Sequence, residues 1–186
     1  MNIKGTAFTT AKVTITQAFG EERWNTFMAK MAEKDSYYKG MILSIALIPV
    51  EKHLFFLNEL IKEFFNNDKK SFFMFGKVAA KFTLSPGGSR HSFILAKTLK
   101  QFVEVGMPQI WTSLYDESVL NANLESNIIH IKITQIPINS VDFEFMTVGY
   151  FKQALKIFGK KSNEKCIRGF SKGNNDLYYQ FAITDS

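Results

Sequence analysis

The spacing of apolar residues changes near residue 120, and this change most limits the folds open to the chain. Before it, apolar side chains recur every three or four residues, as on one face of a helix. After it, apolar and polar residues alternate over 120–125 and again over 129–134, as in half-buried strands. We therefore expect helices in the first two thirds of the chain and a sheet in the last third.

Start and stop signals divide the helical part into segments. Gly20 ends one apolar stripe, and Glu21 begins the next, where the partial positive charge of a helix N-terminus favours an acid. The sequence Ser-Pro-Gly-Gly at 85–88 interrupts the pattern again. These signals predict helices over 8–19, from Glu21 through Met31, over 49–65, over 72–84 and over 93–106, the last closed by Gly106 and Pro108.

The strand patterns surround one further helix. A polar turn at 126–127 joins the two alternating runs into a hairpin, and a helical stripe follows over about 141–158. A second hairpin is predicted over 166–183. The resulting class is α+β: an N-terminal helical layer packed on a small C-terminal antiparallel sheet built as hairpin, helix, hairpin. No repeat or linker divides the chain, so we expect one domain over 1–186.

The placement of cysteine and histidine argues against a disulfide framework and against a metal site. Cys166 is the single cysteine, and none of His53, His91 and His130 lies at a metal-ligand spacing from another. The strand pattern predicts an exposed His130, and the helix pattern predicts His53 on a charged face. We expect no metal ligand among these residues.

Catalytic signatures are missing from the sequence as well. The chain has no GxSxG nucleophile motif, no P-loop and no GxGxxG motif. Cys166 has no signature histidine partner, and a cysteine in a strand is more often a small buried hydrophobe than a nucleophile. The sequence therefore predicts that the protein is not an enzyme and needs no cofactor.

The net charge of +6 does not indicate a nucleic-acid binder. The 23 Lys and Arg residues, against 17 Asp and Glu, include only three arginines. Basic stripes with prominent arginine are typical of nucleic-acid interfaces, whereas lysines spread through helical patterns are typical of solvated helix faces. We expect no nucleic-acid partner.

No segment is apolar for long enough to cross a bilayer. The longest candidate, 41–50, has about half the length that a membrane-spanning helix needs. Polar residues interrupt the first 30 residues, so no signal peptide is recognised there. Together with one free cysteine, these features predict a cytoplasmic protein without a membrane span.

Phenylalanine is unusually frequent, with 19 residues. Each ring can bury a large apolar area, so the rings either fill an aromatic core or line a cavity. Both interpretations are compatible with the sequence.

The loop 85–92 is the one segment with an anion-binding mechanism. Gly87 and Gly88 would let a ligand approach the backbone, free N–H groups would face it at the start of the next helix, and Arg90 would add a positive charge. The alternative is an ordinary turn between helices, with a serine of the loop as the helix cap. Gly87, Gly88 and Arg90 are therefore candidate anion-loop residues.

Short motifs spread over nearly the whole chain resemble those of a known group of proteins. They are Ile3-Lys4-Gly5, Phe19-Gly20-Glu21-Glu22-Arg23-Trp24, Ile48-Pro49-Val50-Glu51, Phe75-Gly76-Lys77-Val78-Ala79, Pro108-Gln109-Ile110-Trp111, Val148-Gly149-Tyr150-Phe151, and Cys166 through Gly173 to Phe181. The group is largely myxobacterial, uncharacterised, and related to vinyl-reductase-type small-molecule-binding domains. The resemblance implies the mixed fold of haem–nitric-oxide sensor domains and of vesicle-tethering transport-particle subunits, whose members bind ligands or dock proteins and are often dimeric.

Departures from the group's patterns bear on metal and haem. Some relatives carry a second cysteine in the closing hairpin at the position of Tyr179, so the resemblance does not extend to a cysteine pair for metal. The Tyr-x-Ser-x-Arg motif of the haem sensors is absent, and no histidine of this chain matches their iron ligand. We therefore expect no haem.

The preferred interpretation is a non-catalytic cytoplasmic sensory or regulatory module that binds a small apolar ligand or lipid. Trp111, Tyr150 and Phe151 are the candidate ligand-binding residues. The alternative is a protein-docking module, like the transport-particle subunits, that binds no ligand and uses a helical face for a homodimer or another protein.

Overall fold

Helices occupy most of the first two thirds of the chain and strands most of the last third. A computed structural model describes residues 1–95 and 98–185. The helices are α1 (Thr6–Phe19), α2 (Glu21–Lys34), α3 (Val50–Phe65), α4 (Lys70–Leu84), α5 (Leu99–Gln101), α6 (Met107–Leu114) and α7 (Val141–Ile157). The strands are β1 (Asn2–Lys4), β2 (Leu47–Pro49), β3 (Val119–Glu125), β4 (Ile128–Thr134), β5 (Lys160–Arg168) and β6 (Leu177–Asp185).

The late strands form one antiparallel sheet in the order β3-β4-β6-β5. Leu120 pairs with Ile133 and Leu124 with Ile129, so the hairpin lies where the alternation predicts it. The α7 helix connects the first hairpin to the second, and a short 3-10 turn, Phe170–Lys172, leads into β6. The α+β class, with helices early and an antiparallel sheet late, is confirmed.

The chain contains two compact units. The N-terminal unit covers residues 2–71, and the C-terminal unit covers Met1 and the residues from Phe72 onward. The single domain expected over 1–186 stays a prediction.

Two short strands near the start of the chain were not predicted. In the N-terminal unit β1 pairs with β2 antiparallel, with Ile3 opposite Ile48. Each strand has three residues, which is too short for an alternating pattern to stand out from a helical one. Both isoleucines are buried, so this small sheet forms part of the apolar core.

Aromatic rings fill the core of the N-terminal unit. The ring of Phe56 lies 4.6 Å from that of Phe8, 5.8 Å from Phe27 and 6.1 Å from Trp24. All four side chains are buried. Here the phenylalanines are core residues, the first of the two interpretations that the sequence allows.

The helix predicted to close at Gly106 continues to Leu114 instead. A π-helical turn, Phe102–Gly106, joins α5 to α6, and Met107 N–H donates to Phe102 O. This wider turn precedes Pro108, whose missing N–H and bulky ring disturb an ordinary helix. Ala96, which the prediction also placed in this helix, lies outside the described residues.

Two glycines allow α4 and α7 to cross at backbone contact within the C-terminal unit. A Cβ atom at Gly76 would lie 1.9 Å from Met146 O, and one at Gly149 would lie 2.1 Å from Phe73 O. Both distances are far below van der Waals contact. Only glycine fits at either position, which explains why both residues sit at the centre of a motif.

Replacing Gly149 by alanine tests this crossing. We expect Gly149→Ala to lower the free energy of unfolding by about 3 kcal/mol or more, because the backbones must separate to make room for one methyl group. Gly40→Ala is the control, since open space surrounds Gly40 and its φ is −95°. Urea denaturation monitored by circular dichroism measures both. Equal stability of the two variants would contradict the close crossing.

His53 is buried, which corrects the prediction that it lies on a charged helix face. Its imidazole stacks over the ring of Phe56 with 6.3 Å between centroids, and Nδ1 has no hydrogen-bond partner. Burial lowers the pKa of His53 to about 4. The periodicity misplaced His53 because an imidazole is polar enough to read as a surface residue yet small enough to be accommodated in an aromatic core.

This lowered pKa predicts an acid-sensitive N-terminal unit. The unfolded chain binds a proton at His53 near pH 6.5 while the folded chain resists it, so stability falls as the pH drops from about 6.5 to about 4. The loss attributable to His53 is on the order of 3 kcal/mol. Unfolding of the wild type and of His53→Leu, measured across this pH range, isolates the effect. The wild type should lose more stability than the variant, and parallel curves would contradict the assignment.

Candidate functional site

Trp111 lies at the centre of an aromatic cluster in the C-terminal unit. It projects from α6 and is buried, with its ring 4.3 Å from that of Tyr115, 6.1 Å from Phe143 and 6.3 Å from Phe151. Its indole N–H donates to Ser118 Oγ at 3.0 Å. The structure thus brings together two of the predicted ligand-binding residues, Trp111 and Phe151.

Tyr150, the third predicted residue, is positioned by the α4–α7 crossing. It follows Gly149 on α7, and its hydroxyl lies 3.0 Å from Thr83 Oγ1 on α4. Thr83 Oγ1 already donates to Ala79 O at 2.8 Å, so the Tyr150 hydroxyl is the donor in this pair. The Tyr150 and Phe151 rings lie 6.0 Å apart and approach edge to face.

Arg90 joins the same cluster from the predicted anion loop. Its side chain is buried, Nε donates to Ser113 Oγ at 2.8 Å, and Nη2 lies 3.4 Å from Ser113 O. Tyr115 and Tyr150 are close enough to influence its charge. We call Thr83, Arg90, Ser113, Tyr115 and Tyr150 the Arg90 cluster.

Burial shifts the ionisation of this cluster in opposite directions. It raises the pKa of Tyr115 and of Tyr150, and it lowers the pKa of Arg90. Each shift disfavours the charged form, as expected where water is excluded. Near neutral pH both tyrosines are protonated and Arg90 is still a cation, so the guanidinium group of Arg90 can donate hydrogen bonds to an acceptor group. Shifted ionisable groups that converge in this way are typical of functional sites.

Backbone N–H groups of the anion loop donate to nearby backbone carbonyl groups. Gly88 N–H donates to Ser85 O, Arg90 N–H to Thr83 O, and His91 N–H to Gly88 O, at 2.8–3.1 Å. A Cβ at Gly88 would lie 2.3 Å from Thr83 O, so its close approach is to the chain itself. This geometry favours the turn that the sequence left as the alternative. Gly87 and Gly88 as ligand contacts stay a prediction, while Arg90 points to the aromatic cluster.

Glu144 forms a second polar cluster, which the sequence analysis missed. It is completely buried on α7, and Oε2 accepts from Ser171 N–H at 2.7 Å. Oε1 accepts from Ser171 Oγ at 2.8 Å, from the Tyr179 hydroxyl, and from Cys166 Sγ at 3.7 Å. Burial and the bond to Glu144 raise the pKa of Tyr179. We call Glu144, Cys166, Ser171 and Tyr179 the Glu144 cluster.

The sequence does contain a signal for this buried acid. The predicted apolar stripe of α7 runs through Val148, Phe151 and Leu155, and a step of four residues back from Val148 reaches Glu144. An acid on an apolar stripe near a helix start is usually solvated, so the pattern alone did not single it out. Here it holds the short turn Phe170–Lys172 against α7.

A small space separates α7 from the sheet. It has a volume of about 10 Å³, and Phe151, Thr147 and Tyr179 are among its lining residues. Thr147 Oγ1 is buried there without a hydrogen-bond partner. This space holds about one water molecule, which Thr147 could bind.

No protein-family model and no curated protein sequence matches the chain. Solved structures match it over its full length. A mutant H-NOX protein from Shewanella oneidensis in the Fe(II) state superposes with a TM-score of 0.74 and 17% identity, covering 99% of this chain and 98% of that one. The H-NOX domain of the same organism in the Fe(II)CO state gives 0.71 and 18%, covering 99% and 100%. An Fe(II) unliganded H-NOX mutant from K. algicida gives 0.66 and 14%, covering 99% and 98%.

The chain has the H-NOX fold. This confirms the mixed fold shared with haem–nitric-oxide sensor domains that the sequence motifs implied. At these identities the likeness shows the fold alone. The relation to myxobacterial and vinyl-reductase-type proteins stays a prediction.

The H-NOX fold raises the question of haem, and two spaces described within the units do not fit it. Haem iron needs an axial side chain such as histidine or cysteine, facing a pocket of roughly several hundred Å³. The 10 Å³ space of the C-terminal unit has neither residue in its lining. A groove of about 260 Å³ between α2 and α3 is lined largely by Lys and Glu side chains, again without histidine or cysteine.

The histidines of this H-NOX fold are engaged in other ways. His91 Nδ1 lies 2.8 Å from Leu84 O, and His130 Nδ1 lies 2.8 Å from the Tyr178 hydroxyl on the sheet. His53 is packed on Phe56 in the N-terminal unit. Over residues 1–95 and 98–185, no group of three or more His, Cys, Asp or Glu is placed to hold a metal ion. In the same ranges, no helix is long and apolar enough to cross a membrane.

The Glu144 cluster yields a stability prediction. Glu144→Ala should lower the free energy of unfolding by about 3 kcal/mol, because the buried Tyr179 hydroxyl and the partly buried Ser171 N–H lose their acceptor. Tyr179→Phe removes only one donor and should cost about 1 kcal/mol. Thermal and urea unfolding measure both effects.

Glu125→Ala is the matched control for this prediction. Its carboxylate is 68% exposed and lies 3.6 Å from His130 Nε2, so its loss should change stability by less than about 0.5 kcal/mol. If Glu144→Ala were as stable as Glu125→Ala, the carboxylate would not hold the closing hairpin.

Proposed function

We propose that this chain is a sensory or regulatory module of H-NOX fold that binds a small, largely apolar molecule and does not act as an enzyme. The binding site is the Arg90 cluster with the neighbouring rings of Trp111 and Phe151. The observation that carries the proposal is the meeting of a buried arginine and two buried tyrosines beside an aromatic wall.

The chemistry of this site favours binding. Ligand pockets are mostly apolar and use a few fixed polar groups to orient the ligand. Trp111, Phe143 and Phe151 supply apolar surface, while the guanidinium group of Arg90 supplies donors. The ligand would therefore have an apolar body and at least one hydrogen-bond acceptor, such as a carbonyl or carboxylate oxygen.

The proposed ligand is not haem. The three H-NOX structures compared above are in Fe(II) states, one of them with CO bound, whereas neither of the two described spaces of this chain is lined by histidine or cysteine. Similarity of fold therefore supports the sensory role, and the residues present support a different ligand.

Ligand binding requires side chains of the aromatic cluster to move. The described space beside Phe151 has room for about one water molecule, so a larger ligand must displace Phe151, whose ring neighbours that of Trp111. Such a shift would change the surroundings of the Trp111 indole. A Trp24→Phe variant leaves Trp111 as the only tryptophan, so its fluorescence reports on the site.

A cytoplasmic location, a dimeric state and kinship with the vinyl-reductase-type domains belong to this proposal as well. The short motifs that run from Ile3 to Phe181 support the kinship, and the single free cysteine fits a reducing compartment. None of the three is needed for the binding site itself.

Native mass spectrometry of protein purified from cells tests the function. We expect a species heavier than the bare chain by one small molecule, with no haem absorption band in the visible spectrum. Denaturation should release the molecule. A mass equal to the bare chain or its dimer would contradict ligand binding and favour the docking alternative. A haem band would contradict the statement that the ligand is not haem.

Variants of Arg90 locate the bound molecule. Arg90→Gln should reduce the retained fraction about tenfold or more, and Arg90→Lys should reduce it less, because a lysine keeps the charge but loses the planar donor array. Arg168→Gln is the control, since Arg168 pairs with Asp176 at the surface. Circular dichroism checks that each variant is folded. Full retention in folded Arg90→Gln would place the ligand elsewhere.

A further inference from the structure

The segment that leads into β2 exposes a run of aliphatic side chains. Met41 is 88% exposed and Ile45 is 80% exposed, while Leu43 and Leu47 are each about half exposed. All four lie within seven residues of the N-terminal unit. We call residues 41–47 the apolar turn.

The apolar turn has a defined backbone. Ala46 N–H donates to Leu43 O at 3.0 Å, and Gly5 N–H donates to Ala46 O at 2.8 Å. A Cβ at Gly5 would lie 2.0 Å from Leu43 O, so the turn rests directly on a glycine backbone. Directly after the turn, Ile48 is buried and holds β2 in place. The side chains of the turn are therefore held outward by the fold.

Two lysines lie close to the apolar turn, and the nearest acids along the chain, Asp35 and Glu51, lie further from it. Lys39 is exposed two residues before Met41, and Lys4 lies beside Leu47 because the two are paired across β1 and β2. No Asp or Glu occurs over 36–50. Of the acids that bound this stretch, Asp35 forms an ion pair with Lys52. The surroundings of the turn are thus apolar and positively charged.

The small size of the apolar turn favours a lipid surface over a protein as its partner. A stable protein–protein interface uses roughly 20–30 residues on each side, whereas the apolar turn offers four aliphatic side chains. Shallow insertion into a lipid surface needs only a few such side chains, provided that basic residues meet anionic headgroups. Lysine also suits a position beside the inserted side chains. Its methylene chain can lie along them while its ammonium group stays at the headgroups.

We propose that the apolar turn docks the protein onto an anionic lipid surface, with Met41 and Ile45 inserted and Lys4 and Lys39 at the headgroups. This inference goes beyond the proposed function and is independent of it. The ligand site lies in the C-terminal unit and the apolar turn in the N-terminal unit. Either can fail without the other.

Vesicle flotation with the full chain tests the proposal. Wild-type protein should float with vesicles of phosphatidylcholine and phosphatidylserine, and much less with phosphatidylcholine alone. Raised salt should weaken the binding, because it screens the lysines. Met41→Ser/Ile45→Ser should reduce binding about tenfold or more, because two aliphatic side chains no longer leave water.

Matched variants separate insertion from charge and from misfolding. Met74→Ser/Leu95→Ser removes two aliphatic side chains of comparable size, 52% and 66% exposed in the C-terminal unit, and should bind like the wild type. Lys4→Gln/Lys39→Gln should lose binding to anionic vesicles and much of its salt dependence. All variants should keep the wild-type melting temperature, since the replaced side chains do not belong to the core.

Three results would overturn the proposal. The first is a wild type that does not float with anionic vesicles. The second is equal binding by wild type and Met41→Ser/Ile45→Ser. The third is a wild-type dimer in analytical ultracentrifugation that Met41→Ser/Ile45→Ser converts to a monomer, which would assign the turn to a second copy of the chain.

Discussion

The C-terminal unit depends on the contact between α4 and α7 at Gly76 and Gly149. A Cβ at either position would overlap a backbone carbonyl of the other helix, so the two helices approach only because both positions lack a side chain. This approach places the Tyr150 hydroxyl on Thr83 and, one residue later, directs Phe151 to the space beside the sheet. The candidate ligand site therefore depends on glycine, which has no Cβ atom, at both positions.

A buried acid and a buried arginine lie in this unit, and neutral partners hold each of them. Glu144 accepts hydrogen bonds from Ser171 and Tyr179, while Arg90 donates to Ser113. Burying an ion is costly unless hydrogen bonds replace its water. The Glu144 cluster fastens the closing hairpin to α7, which is a structural role. The Arg90 cluster adjoins Trp111 through Tyr115, and this aromatic setting is why we assign binding there.

The sequence selected candidate residues for the site but did not predict their arrangement. Trp111, Phe151 and Arg90 were selected for different reasons, two as pocket residues and one as part of an anion loop, and the fold brings them into one region. Glu144 was missed because a helix-start acid is normally solvated, and His53 was misplaced because periodicity treats every polar ring as a surface residue. Which side chains bury one another depends on segments that are far apart in the sequence. A local pattern does not contain that information.

The spacing of apolar residues determined the class and the order of the long helices and the late strands, but not the short strands β1 and β2. Local patterns suffice for this, because the period of a helix or a strand is a property of the neighbouring residues alone. Only the tertiary structure decided that α5 continues through a π turn into α6, that Gly76 meets α7, and that the apolar turn faces solvent. These features arise where segments far apart in the chain compete for the same space. Such contacts leave no periodic pattern in the sequence.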